Sequence, residues 1–335
     1  MLPALPVAYK AGALPPGAFA RTWWRDYALC PDAAAWQDCD PMPRPKRFLV
    51  IVRAGDRSLH PMWTQSEQTR TWDLVVSYYG SDAARYRSPG ERRIDDLGPK
   101  LPGLHALLAR ETFWRNYDYV WLPDDDLAVT ESVINRLFEQ ASSLGLALVQ
   151  PALSWVSFFS HDLTLRSPSF RLRYTNFVEI MAPCFSRDFL ATCLPTFAEN
   201  RSGWGLDYLW PRLLPSGQRR CAILDEVEIT HTRPLGGPNY DELRALGAAP
   251  RQEQARLFRK YGIPLDIEPV ILAAIDAHGS LLTDASPAEA DTLRTAHARD
   301  LRMFVASRLR LDLPRTLVAR MPLHGGAGVP APGAH

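Results

Sequence analysis

Four short apolar runs, each stopped by a glycine, a proline or a cluster of acids, constrain this chain more than any other feature. Residues 48–52 read Phe-Leu-Val-Ile-Val before Ala54-Gly55, and residues 72–78 read Trp-Asp-Leu-Val-Val-Ser-Tyr before Gly80. Residues 117–122 read Tyr-Asp-Tyr-Val-Trp-Leu before Asp124-Asp125-Asp126, and residues 146–149 read Leu-Ala-Leu-Val before Pro151. Runs of this length, rich in β-branched and aromatic residues, predict strands buried on both faces. Helical spacing fills two of the gaps: Leu104, Leu107, Leu108 and Phe113 within 104–114, and Val133, Ile134, Leu137 and Phe138 within 131–142. Strand and helix in alternation predict an α/β fold, a largely parallel sheet with helices on both faces.

Beyond Pro151 the pattern loosens. Strand-like pieces at 155–159, 175–181 and 221–230 are separated by long loops rich in Arg, Ser, Gly and Trp, the form in which a rigid scaffold carries functional groups. From Pro250 the spacing turns helical, at 252–261, 267–277 and 288–309. The expected organisation is an N-terminal arm over 1–46, a main domain over 47–249, a helical C-terminal extension over 250–321 and a disordered Gly/Pro/Ala-rich tail over 322–335.

Charge and composition exclude several classes. With 38 Lys+Arg against 37 Asp+Glu the formal net charge is +1, so there is no global basic field of the kind that non-specific nucleic-acid binders use. No apolar run approaches the roughly 18–20 residues that span a bilayer. Residues 1–20 carry four prolines and lack the charged start and apolar stretch of a signal peptide, so the expected location is cytoplasmic. Cys30, Cys39, Cys184, Cys193 and Cys221 show no zinc-type spacing and are expected as reduced thiols, although Cys30 and Cys39 could bridge if oxidised.

The acidic trio Asp124-Asp125-Asp126 stands at the carboxyl end of a predicted strand, where open α/β sheets bind ligands. Adjacent carboxylates repel and resist burial unless a cation neutralises them, and Mg²⁺ or Mn²⁺ takes oxygen ligands while leaving positions for phosphates. The competing explanation, capping of the helix near Glu131, needs one residue rather than three, and Thr130 is better placed for it. His231, at the end of the strand over 221–230, could supply the nitrogen of a mixed oxygen and nitrogen site, or be an ordinary hydrogen-bonded histidine. In Ser202-Gly-Trp-Gly-Leu-Asp207 two glycines make a turn that can present an indole to a sugar ring, with an acid beside it to accept a hydroxyl proton; a plain structural turn capped by Asp207 is the alternative. Glu179 is a single acid in an apolar run and must be bonded, paired or functional. Lys100, one of four lysines, could meet phosphate as a point charge, and the Arg-rich stretch over 166–173 could contact phosphate or an acidic sugar or be a solvated loop.

Taken in order, Asp73-Leu-Val-Val-Ser-Tyr-Tyr-Gly80, Tyr117-Asp-Tyr-Val-Trp-Leu-Pro-Asp-Asp-Asp-Leu127, Gln150-Pro-Ala-Leu153, Phe177-Val-Glu-Ile-Met-Ala-Pro-Cys-Phe-Ser-Arg187, Gly203-Trp-Gly-Leu-Asp207 and His231 with Leu235-Gly236 resemble the GT-A superfamily of nucleotide-sugar glycosyltransferases. Within it the likeness is to a family of uncharacterised plant and bacterial proteins. It covers about residues 47–237, a span typical of one α/β domain. The resemblance implies a GT-A fold, a Rossmann-like mixed sheet flanked by helices, and a metal-dependent transfer of sugar from a nucleoside-diphosphate donor to a hydroxyl.

On the same likeness Asp124, Asp126 and His231 would hold Mn²⁺ or Mg²⁺, and Asp207 would be the general base of an inverting reaction, with Glu179 second. Arg53, Asp73, Lys100 and Asp124 would meet the donor. The acceptor would be a glycan or a lipid-linked glycan of bacterial surface-polysaccharide or glycoconjugate synthesis, with no nucleic-acid partner; the C-terminal helices would pack onto the main domain or, as the sharper alternative, make peripheral contact with the inner membrane. The alternatives are a non-catalytic carbohydrate-binding protein and a metal-dependent phosphoesterase.

Overall fold

Alternate side chains of Phe48–Ala54 (β1) enter two different cores, one on each face of the sheet. The structure is a computed structural model and describes residues 46–65, 69–87, 92–216, 218–234 and 249–310. The expected arm apart from Lys46, the pair Cys30 and Cys39, Leu235 with Gly236, and the expected tail lie outside the described residues.

On one face Leu49 and Ile51 meet Leu101, Leu104, Leu107 and Leu108 of Lys100–Arg110 (α1). On the other, Phe48, Val50 and Val52 share a core with Ile134, Leu137, Phe138 and Ala141 of Glu131–Ser143 (α2). The period of two in the strand against the helical stripe is what makes this three-layer packing available. The sheet flanked by helices is the architecture that the sequence predicts.

β1 pairs in parallel with Trp72–Tyr78 (β2) and with Tyr119–Trp121 (β4), and β2 pairs in parallel with Arg92–Asp95 (β3), a strand too short and polar to stand out in the sequence. Leu127–Ala128 (β5) sits beside the end of Cys221–His231 (β9). Leu148–Leu153 (β6) runs parallel to β9, and Cys184–Ser186 (β8) is antiparallel to both β4 and β6. Phe170–Thr175 (β7) flanks β9 antiparallel. Trp155–Phe159 and the stretch after Thr175 are loops rather than the expected strands. Both cover the carboxyl edge of the sheet, where irregular backbone is needed.

The C-terminal segment departs from the expected run of helices. The spacing over 267–277 predicts a helix, yet Ile271–Asp276 (β10) pairs with β7 and with Leu281–Thr283 (β11), so the order across the sheet is β11-β10-β7-β9-β6-β8-β4-β1-β2-β3. Short apolar runs do not separate strand from helix by periodicity, and the free edge of β7 decides between them. Arg187–Cys193 (α3) and Leu206–Arg212 (α4) lie between β8 and β9, and Pro250–Tyr261 (α5) and Pro287–Arg310 (α6) correspond to two of the three expected C-terminal helices. Leu293 and Phe304 of α6 are buried against the sheet. Among the described residues no helix is long and apolar enough to cross a membrane.

Candidate active site

β4 ends at Trp121, and the chain leaves it through Asp124, Asp125 and Asp126 at the carboxyl edge of the parallel strands. The three carboxylates take three different partners. Asp125 is structural: one oxygen accepts the Gly55 N–H at 2.8 Å, the other accepts an Arg233 N–H at 3.0 Å. Burial nevertheless pushes its pKa up to about 6. Asp124 faces the Lys100 ammonium at 2.6 Å, while Lys100 also donates to the carbonyls of Ile180 (2.7 Å) and Met181 (3.2 Å). Burial raises the Asp124 pKa against the pull of Lys100.

Asp126 meets His231, whose Nε2 lies 3.3 Å from the Asp126 Oδ2, while the Asp126 Oδ1 is buried without a hydrogen-bond partner. Burial alone would raise the Asp126 pKa, but the hydrogen bond and charge of His231 outweigh it and leave it lowered. In His231 burial favours the neutral ring, and the hydrogen bond and charge of Asp126 overcome that and lift its pKa to about 9. The ring is fixed from behind. Nδ1 lies 2.9 Å from the Phe158 carbonyl, which can only accept, so Nδ1 carries the proton and Nε2 faces Asp126. The His231 backbone N–H donates to the Ser157 Oγ at 3.1 Å, and Phe158 N–H donates to the His231 carbonyl at 3.0 Å.

Behind this pair lie two more acids. Glu179 is 7% exposed; its backbone N–H donates to the Gln150 side chain at 2.6 Å, and its Oε2 is without a partner. Burial lifts its pKa to about 7, with the charge of His231 and the hydroxyl of Ser160 opposing. Asp207 stands in the first turn of α4 and accepts the Tyr208 N–H at 3.1 Å. Burial, then the charge of Glu179, lifts the Asp207 pKa to about 8. Two carboxyls in this state hold and release protons near neutral pH, the range that general acid–base work needs.

The turn before α4 sets the position of Asp207. Gly203 and Gly205 have φ of 79° and 93°, conformations that strain any residue with a Cβ. A Cβ at Gly205 would stand 3.0 Å from the Phe258 ring and 3.1 Å from Leu257, so α5 packs directly on this glycine. Glu253 of α5 accepts the Ser202 N–H at 3.0 Å. Trp204 between the glycines is half-buried.

Of the residues proposed from sequence, Asp124, Asp126, His231, Lys100, Glu179 and Asp207 come together. Two do not. Asp73, expected at the donor, lies at the amino end of β2, about five residues or roughly 16 Å from the carboxyl edge, and accepts the Lys46 N–H (2.8 Å) and the Tyr117 hydroxyl (2.9 Å). Arg53, also expected at the donor, is 3% exposed and committed to Ser77, Asp96 and the Gly98 carbonyl at 2.9, 2.8 and 2.5 Å, which makes it a strut under the start of α1. In the Arg-rich stretch Arg173 is fully buried in an ion pair with Asp225 at 2.8 Å, rather than facing a ligand.

Sequence reasoning passes over Arg233 and Tyr79. Arg233 is two residues beyond His231 and donates to Asp125 and to the Arg57 carbonyl. The half-buried Tyr79 ring lies against Gly55, where a Cβ would come within 3.0 Å of it, and burial and the charges of Asp125 and Asp124 hold its hydroxyl protonated. The run Tyr78-Tyr79-Gly80 at the end of a predicted strand is the one sign of it in the sequence.

Among the described residues no group of three or more His, Cys, Asp or Glu side chains is arranged to hold a metal ion. Asp126 and His231 nevertheless fit one as a pair. A partnerless buried carboxylate oxygen beside an imidazole whose other nitrogen is anchored to a carbonyl is the donor set of a hard-to-borderline divalent cation, which needs only one or two protein ligands when phosphates supply the rest. Asp124 is the third expected ligand, and it is engaged by Lys100 instead.

No protein-family model and no curated protein matches the chain. Among solved structures it is similar to glucosyl-3-phosphoglycerate synthase from Mycobacterium tuberculosis in complex with Mn²⁺, UDP and glucosyl-3-phosphoglycerate, at 18% identity over 68% of this chain and 87% of that one, with a TM-score of 0.41. It is also similar to GalNAc-T7 with UDP, GalNAc and Mn²⁺, at 10% identity over 64% of this chain and 48% of that one, with a TM-score of 0.45.

Proposed function

We propose that the chain is a metal-dependent glycosyltransferase of GT-A type that moves a sugar from a nucleoside-diphosphate donor to a hydroxyl. The observation that carries this reading is one juxtaposition. A cation-ready pair, Asp126 with His231, and a buried acid pair, Glu179 with Asp207, meet at the carboxyl edge of the parallel strands of one mixed sheet. A phosphoesterase would need the first pair and one acid to protonate its leaving group, whereas a second acid beside a turn that offers an indole suits a ring-borne hydroxyl acceptor.

Asp126 and His231 would hold the ion, and Asp124 would join them by exchanging Lys100 for it. A bound divalent cation supplies Lewis-acid stabilisation to a departing diphosphate. Lys100 would turn its ammonium from Asp124 toward phosphate, and Arg233 would add positive charge on the same side. Tyr79 would offer a flat face to the base of the donor nucleotide. The half-buried Trp204 would orient the acceptor ring, and an oxygen of Asp207, or of Glu179 as second choice, would take the proton of the attacking hydroxyl. Direct attack by a deprotonated acceptor inverts the sugar, the outcome favoured here. A glycan or lipid-linked glycan acceptor in bacterial surface-polysaccharide synthesis remains part of the proposal, as does membership of the uncharacterised plant and bacterial family.

The test is a thermal-shift screen of UDP, GDP, CMP and their sugars, each with and without Mn²⁺, followed by donor hydrolysis with the stabilising nucleotide. Stabilisation that requires both Mn²⁺ and a diphosphate, and that Asp126→Asn abolishes, supports the proposal. No metal-dependent stabilisation by any nucleotide overturns it.

A further inference from the structure

The C-terminal helix α6 reaches the candidate site without contributing a residue to it. Its Arg308 is 3% exposed, and one guanidinium nitrogen donates to the Ser157 carbonyl at 2.5 Å. One turn earlier Phe304 packs edge-on to Trp155 and Phe159, with ring centroids at 6.4 and 5.6 Å. These three contacts hold the loop over residues 154–160 from outside.

The inner side of the same loop holds His231. Ser157 accepts its backbone N–H, and the Phe158 carbonyl takes its Nδ1 proton. Ser154 ties the loop to the strand that carries His231, through Thr230 Oγ1 at 2.7 Å and through its own N–H to the Ile229 carbonyl at 2.7 Å. Ser160 in the same loop hydrogen-bonds Glu179.

We propose that Arg308 is a positioning residue for His231: by fixing the Ser157 carbonyl it holds the Phe158 carbonyl where it must be to keep the His231 Nδ1 proton, and so presents Nε2 to the cation. The cation part rests on the proposed metal-dependent function; the positioning part does not. A guanidinium buried against one carbonyl and the Phe304 ring, 5.3 Å from its centroid, is an expensive way to fasten a helix, since its Nε is left without a partner. Helix docking has a separate anchor at Asp300, which accepts the Ser169 N–H at 2.9 Å and the Ser169 hydroxyl at 2.8 Å.

The full chain is tested as Arg308→Met, Arg308→Lys and Asp300→Asn, with Arg308→Gln, too short to reach Ser157, as the second variant should methionine prevent folding. Two quantities are read: Mn²⁺ affinity with and without UDP or GDP, from the electron paramagnetic resonance signal of the free ion, and exchange protection of the His231 Nδ1 proton by NMR in the metal-free protein. Arg308→Met is expected to weaken Mn²⁺ binding about tenfold, in the range of outer-sphere partners of metal ligands, and to lose the protected ring proton. Arg308→Lys should restore both to within about twofold, and Asp300→Asn should lower the melting temperature while leaving both unchanged. Wild-type protection in Arg308→Met, or equal losses in Asp300→Asn, overturns the proposal. Absence of Mn²⁺ binding in the wild type, with UDP or GDP present as well as without, removes the metal-dependent function, and the ring proton still decides the role of Arg308.

Discussion

The Lys100 ammonium lies 2.6 Å from Asp124, and it stands where a cation bound by that carboxylate would also stand. The helix start supplies Lys100 and the strand end supplies Asp124, so their pairing joins α1 to the acidic loop after β4. Without a cation the lysine on Asp124, Arg233 on Asp125 and His231 on Asp126 keep three close carboxylates tolerable.

Lys100→Met should therefore destabilise the metal-free protein by about 1 kcal/mol, since the Met181 carbonyl loses a donor while the Asp124 side chain, 39% exposed, keeps water. Mn²⁺ should then raise its melting temperature more than that of the wild type, because the ion takes over the charge that the lysine supplied. An equal rise in both proteins, measured by thermal unfolding at saturating Mn²⁺, would exclude Asp124 as a ligand.

Metal affinity should depend on pH through His231. Its pKa is lifted to about 9, so below that value a proton on Nε2 competes with the ion. Affinity should rise by up to about tenfold per pH unit between pH 6.5 and 9 and then level off. In His231→Gln the affinity should fall and this slope should disappear, as titration calorimetry across that range would show.

Glu179 and Asp207 make the opposite contribution to folding. In the unfolded chain both lose their protons near pH 4, whereas in the fold they keep them to about 7 and about 8. Between those limits the folded state binds more protons, so stability falls as pH rises, by at most about 1.4 kcal/mol per pH unit for each carboxyl. Asp207→Asn should flatten this decline, leave the protein more stable than wild type at pH 8.5, and remove transfer. Urea denaturation at a series of pH values checks the first two effects, and a donor-consumption assay checks the third.

Gly205→Ala should cost about 1–3 kcal/mol, because φ is 93° and the added methyl would press on Phe258. Its effect on turnover should exceed its effect on donor binding, since Asp207 is two residues away and the donor side is not touched. Equal losses in both would separate Asp207 from the acceptor step.

Several of these features are legible in the sequence alone. The strand at 72–78 has there the limits it has in the fold, and the place of Asp124–Asp126 at a sheet edge follows from the apolar run that precedes them. Asp207, Glu179 and His231 stand out because each is an ionisable residue where the local pattern has no need of one. Asp73 is misplaced by block-by-block matching, which ignores strand direction; the amino end of β2 cannot reach the carboxyl edge. Arg53 reads as a phosphate contact because its partners, Ser77, Asp96 and Gly98, are distant in sequence and meet it only after folding. The same distance hides the partition of the acidic trio, in which Arg233 takes Asp125 and Lys100 takes Asp124.

The hairpin of β10 and β11 has a practical consequence. A shortened chain ending at residue 249 would strip β7 of its outer neighbour and bare a row of amide and carbonyl groups, an invitation for copies to zip together. Whoever trims this protein to its first 249 residues should expect inclusion bodies rather than a smaller folded domain.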